Sequence, residues 1–457
     1  MNAPESKVRL ARMELYRKKG KIHAREVKGR FNTLRWSLVL LTQLVFFGAC
    51  WLPWDGRQAL WFDIPEEKFY IFDAVLWPQD ALLLAIVMIL AALGLFWVTA
   101  IAGRVFCGYA CPQTVYTSLF TWIETRVEGD HLARLKLDQA PNSPRKLALK
   151  ATKHGLWLGL SLWSGLTFVG YFTPIRELLP AFASWSLGPW EAFWVLFYAG
   201  FMYLQAGFAR EMVCQHMCPY SRFQGVMFDS NTRTVAYDLG RGEPRNRHQK
   251  GDAPKGDCVD CSICVQVCPT GIDIRDGLQY QCINCGLCVD ACDGVMDKVG
   301  KPRGLIRYAS EQELAGRSTA GHAARLRVYG ALVAVFVGLG VWTIVQRPSL
   351  RVDVLRDRGS LAREATDGLI ENAYTLKLAN LADVPREFEI RVSGLPGAQL
   401  RGNPRVSGES GQIRTVQVTV AVPPDGLGSG VKLLAFEVRA VADPNAQAHE
   451  KTTFVLP

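Results

Sequence analysis

Cys258-Val-Asp-Cys261-Ser-Ile-Cys264-Val-Gln-Val-Cys268-Pro269, followed by Cys282-Ile-Asn-Cys285-Gly-Leu-Cys288-Val-Asp-Ala-Cys292, repeats one pattern, C-x2-C-x2-C-x3-C. A tight turn lets three thiolates converge on adjacent irons of a cubane, and the three-residue gap begins a helix that carries the fourth sulfur to a neighbouring cluster. By that rule Cys258, Cys261, Cys264 and Cys292 hold one [4Fe–4S] cluster, and Cys282, Cys285, Cys288 and Cys268 hold the other. A zinc ribbon needs four ligands in two pairs, not eight in two evenly spaced quartets. Asp293 stands where a proline is expected after Cys292, which bears on the following helix and the local potential, not on ligation. Gly, Pro and charge from Arg241 to Lys255 read as a solvated linker ahead of this bacterial-type dicluster ferredoxin domain. Pro302 and the polar stretch Ser310–Gly321 close it.

Away from this module the 457-residue chain is too long for one hydrophobic core. Its apolar residues gather in the runs Trp36–Pro53, Ala81–Ala102, Leu156–Thr173, Trp190–Phe208 and Val328–Val345, each near the length a helix needs to cross hydrocarbon. Five transmembrane spans are therefore expected. Arg12, Arg17, Lys18, Lys19, Lys21, Arg25, Lys28 and Arg30 precede the first, interspersed with Glu5, Glu14 and Glu26. That is no cleavable signal peptide, so the first span is an uncleaved anchor. Lys and Arg concentrate on the inner side of a membrane. The loop from Trp54 to Trp77 holds only Arg57 and Lys68, and that from Pro174 to Pro189 only Arg176. The stretch from Gly103 to His154, by contrast, carries Arg104, Arg126, Arg134, Lys136, Arg145, Lys146, Lys150 and Lys153. The start and the ferredoxin segment are thus expected inside, and everything after Arg347 outside. The formal net charge of +10 is accounted for by these inner flanks, and no nucleic-acid partner is implied.

Of 13 cysteines none lies after Arg347, and apart from Cys50, read as packing, all fall on the expected reducing side, where thiolates persist as metal ligands. The second run exits as Arg104-Val105-Phe106-Cys107-Gly108-Tyr109-Ala110-Cys111-Pro112 and the fourth as Arg210-Glu211-Met212-Val213-Cys214-Gln215-His216-Met217-Cys218-Pro219. Both are a basic residue followed by C-x3-C-P at a span end, suggesting two related hairpins. Cysteines four apart share one face of a helix. If the hairpins pack together, Cys107, Cys111, Cys214 and Cys218 form one soft thiolate site for Cu(I), zinc or an iron–sulfur cluster, with His216 and Met217 as further candidate ligands. The bland alternative is small apolar residues packed at helix ends.

Beyond Arg347 the pattern changes to period two. Tyr374–Leu378, Phe388–Val392, Val416–Val420 and Phe436–Val438 alternate apolar with polar, and turn clusters such as Pro423-Pro424-Asp425-Gly426 separate them. An immunoglobulin-like β-sandwich follows, although the Cys…Trp…Cys signature is missing. With no catalytic constellation, its default role is partner binding. The expected order is a basic start (1–35), a four-span membrane domain with both C-x3-C-P motifs (36–208), a cytoplasmic segment (209–327) with the ferredoxin domain at about 250–300, a fifth span (328–346) and the external β domain (347–457).

This order of parts resembles the FixG/CcoG family of cytochrome c oxidase accessory proteins over nearly the full chain, including Gly271-Ile272-Asp273-Ile274-Arg275-Asp276-Gly277 between the quartets and Cys292-Asp293-Gly294-Val295-Met296. The resemblance implies a bacterial inner-membrane protein with a periplasmic C-terminal domain that takes part in assembly of a cbb-type oxidase. It also implies cupric reductase activity supplying Cu(I), with oxidase assembly factors or copper chaperones as partners. On that reading electrons pass from a cytoplasmic or quinol donor through the clusters to copper near Cys107, Cys111, Cys214 and Cys218. Two other classes share some features: a quinol-oxidising respiratory subunit, against which the external β domain counts, and a redox-sensing assembly scaffold. Neither the electron donor nor the oligomeric state, homo-oligomer included, is written in the residues.

Overall fold

In the computed structural model, residues 22–245, 256–317, 323–357, 362–366, 368–382, 384–423 and 428–456 are described. The basic positions from Arg12 to Lys21, linker residues 246–255, the end of the polar stretch closing the ferredoxin domain and Pro424, Asp425 and Gly426 of the expected turn lie outside them. The chain forms two compact units, Met1–Gly340 and Val341–Pro457.

The longer helices of the described residues are α1 (Arg30–Ala49), α2 (Ala81–Ala102), α3 (Pro112–Glu128), α4 (Pro144–Val169), α5 (Pro189–Leu204), α6 (Leu287–Lys298) and α7 (Ala323–Val345), the last running past Gly340. Three segments, Ala81–Ala102, Pro189–Ala209 and Ala324–Val345, are long and apolar enough to cross a membrane. α2 leaves Leu82, Leu84, Val87 and Met88 exposed, and α7 likewise Val335, Val341 and Trp342. Helices apolar on all faces suit a lipid surround. The other two expected spans, Trp36–Pro53 and Leu156–Thr173, fall in α1 and α4, helices of 20 and 26 residues. Neither meets the same standard of length and apolarity. α1 carries Asn32, Thr33, Arg35 and Gln43, and the first half of α4 is the basic stretch Arg145–Lys153. α4 starts four residues after Ala140 because Ser143 caps it, its hydroxyl accepting from Lys146 N at 3.2 Å, and Pro144 occupies the first turn.

Close packing joins these helices where side chains vanish. A Cβ on Gly165 of α4 would lie 2.6 Å from the carbonyl oxygen of Val195, so α5 approaches α4 backbone to backbone. At the end of the bundle away from the C-x3-C-P motifs, Leu60–Asp63, Lys68–Ile71 and Ala74–Leu76 form a small antiparallel sheet, tied to the end of α4 by Trp61 Nε1 donating to Phe172 O at 2.9 Å. Cys50 packs there against Leu166, Val169 and Ile175.

Between α3, α4 and the turn after α5 lies a buried ionic network. Glu124 and Glu128 have fully buried side chains; Glu124 meets Arg210 at 3.0 Å, Arg134 at 3.4 Å and Lys153 at 3.5 Å, and Glu128 meets Lys153 at 2.9 Å and Lys150 at 3.0 Å. Mutual pairing of this kind is the condition on which charges survive away from water.

The second unit is a two-sheet antiparallel sandwich. One sheet orders Gln399–Arg401, Ile413–Val422, Ile370–Asn380 and Leu350–Arg356, with Arg363–Glu364 on its flank. The other orders Arg405–Gly408, Arg386–Ser393, Gly430–Ala440 and Gln447–Leu456. Each expected alternating segment lies in one of these strands. Inward residues Tyr374, Leu376, Phe388, Phe436 and Phe454 fill the core at 0–1% exposure, as a period-two pattern on facing sheets requires.

Candidate functional site: two cysteine cavities and a four-thiol locus

Tight turns place the ferredoxin cysteines. Asp260, Ser262 and Asn284 adopt positive φ, as does Gly286, bending the chain so that successive thiols face inward. After each turn a helix starts, Ile263–Gln266 in the first quartet and α6 in the second. α6 carries Cys288 and Cys292 four residues apart, toward different cavities. One cavity, about 360 Å³, is lined by Cys258, Cys261, Cys264 and Cys292 with Leu305, Ile306 and Met296. The other, about 350 Å³, is lined by Cys268, Cys282, Cys285 and Cys288, and Cys264 reaches its wall. These groupings are the crossed quartets read from the spacing.

The donor chemistry fits a cluster. Burial pushes the thiols of Cys282 and Cys292 up to about 12 and that of Cys264 to about 11, and it raises Cys285 and Cys288 as well. Neighbouring thiols add to the cost of ionising any one of them, most clearly at Cys288, where Cys285, Cys282, Cys268 and Cys264 all contribute. An iron core reverses this balance, because its positive charge is what ionises a buried thiol. Among the described residues no three His, Cys, Asp or Glu side chains converge closely enough to grip a single ion. In a cubane each thiolate holds a different iron, so its sulfurs stand farther apart than the ligands of one zinc ion.

The C-x3-C-P motifs do not form as one helical face each. Cys107 lies in the short helix Val105–Tyr109, whereas Cys111 is the N-cap of α3 with Pro112 in the first helical turn. Cys214 lies in the π-turn Val213–Met217, and Cys218 caps the helix Pro219–Met227 in the same way. Proline has no N–H and cannot continue the helix before it, so each motif breaks between its cysteines. The chain reverses just upstream in both, through Gly103 at φ 57° and Arg210 at φ 41°. The hairpins nevertheless bring all four thiols within electrostatic reach of one another. Burial pushes Cys107 up to about 12, with Cys111, Cys214 and Cys218 adding to the rise, and Cys214 up to about 11. Cys107 Sγ donates to Gln224 Oε1 at 3.3 Å. His216 and Met217 are instead exposed on the turn. A single-ion site built from the four cysteines with His216 and Met217 is not preformed.

This locus abuts the second cavity. Cys107 packs against the cluster that contains Ile283, Cys285 and Leu287, and a Cβ on Gly108 would lie 2.6 Å from Ile283 O and 3.0 Å from Cys285 Cα. Tyr109 Oη donates to Cys285 O at 3.1 Å. Arg104, 3% exposed, donates to the carbonyls of Tyr280 and Ser221 and lies 4.7 Å from the Tyr280 ring centroid. Asn284 bridges in the same direction, donating from Nδ2 to Ala102 O at 3.0 Å and accepting from Val235 N at 3.0 Å. On the far side Asp290 of α6 accepts from Phe31 N at 3.1 Å and Asn32 N at 2.7 Å, capping α1. None of Arg104, Gly108, Tyr109 and Asp290 was singled out as a site residue by spacing; the one sequence signal was that Arg104 recurs as Arg210 before the second motif.

Comparison with known proteins agrees with this arrangement. Residues 209–311 match a family described as a 4Fe-4S dicluster domain, residues 84–128 a 4Fe-4S binding domain, and residues 340–457 an IG-like fold at the C-terminus of FixG. The nitrogen fixation protein FixG of Rhizobium meliloti (strain 1021) is 35% identical over 90% of this chain and 85% of its own length. Proteins RdxA and RdxB of Cereibacter sphaeroides are 38% and 40% identical, covering 90% and 83% of this chain and 89% and 83% of their own.

Proposed function

Because the chain belongs to the FixG family and is an iron–sulfur electron-transfer protein, we propose that it reduces Cu(II) to Cu(I) at the inner face of a bacterial cytoplasmic membrane for assembly of a cbb-type cytochrome c oxidase. The observation that carries this reading is the close approach of Gly108, next to Cys107, to the backbone of Cys285, which sets the four-thiol locus against a cysteine lining the second cavity. Two [4Fe–4S] clusters, when bound, supply low-potential single electrons. The protein's own residues do the rest. Cys258, Cys261, Cys264 and Cys292 form one holding set, Cys268, Cys282, Cys285 and Cys288 the other, and apolar Val235, Ile272 and Ile274 keep water from the second. Cys107, Cys111, Cys214 and Cys218 meet the copper substrate, whose cuprous form soft sulfur favours.

The topology that suits this role has α1 and α4 crossing the membrane together with the three more apolar helices, the ferredoxin domain cytoplasmic and the β-sandwich periplasmic. α1 spans about 30 Å at 1.5 Å per residue, the thickness of a bilayer core. The sandwich offers a surface for oxidase assembly factors or a copper chaperone.

Anaerobic turnover tests the reading. Full-length protein in detergent, reduced with dithionite, should be reoxidised by about two Cu(II) per chain, one per cluster. Cys107→Ala or Cys214→Ala should slow this step at least tenfold and leave the clusters' paramagnetic signals in place. Reoxidation by quinone with no response to copper would replace the proposal with a quinol-linked role; inertness to both would leave a sensor or scaffold.

A further inference from the structure

The surroundings of the two cysteine sets differ in charge. Beside the outer set, which includes the exposed Cys261, stands Arg275, but its guanidinium is held by two carboxylates, Asp273 and Asp260, each at 2.6 Å. Asp293 follows Cys292 directly, fixed by accepting from Gly304 N at 2.9 Å. Arg245 and Arg303 act from farther out on Asp273 and Asp293, but they are themselves paired with Glu243 and Asp297, so carboxylates outnumber cations around this set. Beside the inner set the balance is opposite. Arg104 is bound by neutral carbonyls and an aromatic face, with no carboxylate at salt-bridge distance among the described residues. Arg35, 9% exposed, gives Nη2 to the hydroxyl of Ser118 at 2.7 Å and likewise meets no carboxylate among them. Asp290 is an acid on this side, and both its oxygens are occupied by the amides that begin α1, where the helix dipole offsets its charge. Arg104 also acts on Cys282 and Cys107 at once and Arg35 on Cys285; Arg275 acts likewise on Cys264, but there Asp273 opposes it.

We propose that Arg104, supported by Arg35, makes the cluster held by Cys268, Cys282, Cys285 and Cys288 the higher-potential member of the pair, so that electrons fall from the outer cysteine set toward the four-thiol locus. A buried cation stabilises the more negative, reduced form of a cluster, and a low-dielectric setting enlarges the effect. Each transfer oxidises the outer cluster by one electron and reduces the inner by one; no bond is made and no proton moves. Arg104 is a positioning residue: it touches no reacting atom, and it clamps the turn after α2 to the turn leading into Cys282. The ordering of potentials stands on the charges alone, while the direction toward copper rests on the function proposed above.

Potentiometric titration of the full-length holoprotein, followed by electron paramagnetic resonance without copper, tests it. Two one-electron waves are expected, and Arg104→Gln should move only the more positive one to lower potential, leaving iron content unchanged. Arg104→His provides the control within a single folded protein: only that wave should become pH-dependent between pH 6 and 8, rising on the acid side where imidazole is charged. Waves unmoved by either variant, a shift confined to the more negative wave, or equal shifts in both would overturn the assignment. Failure to reduce copper with the shift intact would overturn the proposed substrate and spare the ordering.

Discussion

The ferredoxin quartets and the C-x3-C-P pairs are both made of cysteines a few residues apart, yet they are assembled differently. In the quartets local turns do the work: Asp260, Ser262, Asn284 and Gly286 bend the backbone within the motif, so three thiols converge before any distant element arrives. In the pairs nothing local converges. Pro112 and Pro219 split each motif between two helices, and the four thiols meet only because α2–α3 packs beside α5 and its following turn. A locally built site withstands changes in the surrounding scaffold; a site built from two hairpins depends on every contact that holds them together.

The largest test of this difference removes one thiol from each set. Cys285→Ser should cut iron and acid-labile sulfide toward half and abolish copper reduction, whereas Cys107→Ser should leave both analyses unchanged. Next comes reactivity in cluster-free protein. The Cys107 thiol, pushed up to about 12 by burial and its neighbours, stays protonated at pH 8, with roughly one thiolate in ten thousand. Alkylation followed by peptide mass spectrometry should therefore label exposed Cys261 first, and Cys107 labelling should climb about tenfold per pH unit up to pH 11.

Glu124→Ala attacks the scaffold of the hairpin-built site. It leaves Arg134, Lys153 and Arg210 buried together without their shared carboxylate, at a cost of about 3–5 kcal/mol. Thermal unfolding in detergent should show the loss, and Cu(II)-dependent reoxidation should fall while the cluster signals persist. Gly108→Val is milder, about 1–3 kcal/mol, because the backbone at Ile283 and Cys285 must retreat. Its signature is slower electron delivery to copper with full iron content; an unchanged rate would break the link drawn between the second cavity and the thiols.

Much was legible beforehand where structure is local. The crossed quartets, the alternating strands of the sandwich and the three most apolar helices all follow from short-range rules of spacing and period. α1 and α4 fall short of that apolarity because of their polar residues, of which Arg35 reaches Ser118 and Lys153 reaches Glu124 and Glu128, while Thr33 and Arg145 stay exposed. A hydropathy average cannot separate a polar residue with a buried partner from one facing water. The expectation that each C-x3-C pair shares a helix face failed for a reason present in the motif, since the proline after the second cysteine starts a new helix.

By itself the sequence determined the chemistry: eight thiols at cubane spacing, because three of every four are brought together by a single turn of chain. It determined the sandwich as well, through the period-two core. Only the tertiary structure decided which cluster set faces the four thiols, that a glycine stands at that contact, and that Arg104, with no carboxylate at salt-bridge distance among the described residues, lies beside one set while Arg275 is neutralised beside the other. The contacts at the four thiols join residues far apart in the chain, as Arg104 is 176 positions from Tyr280, and no local rule of spacing reaches that far.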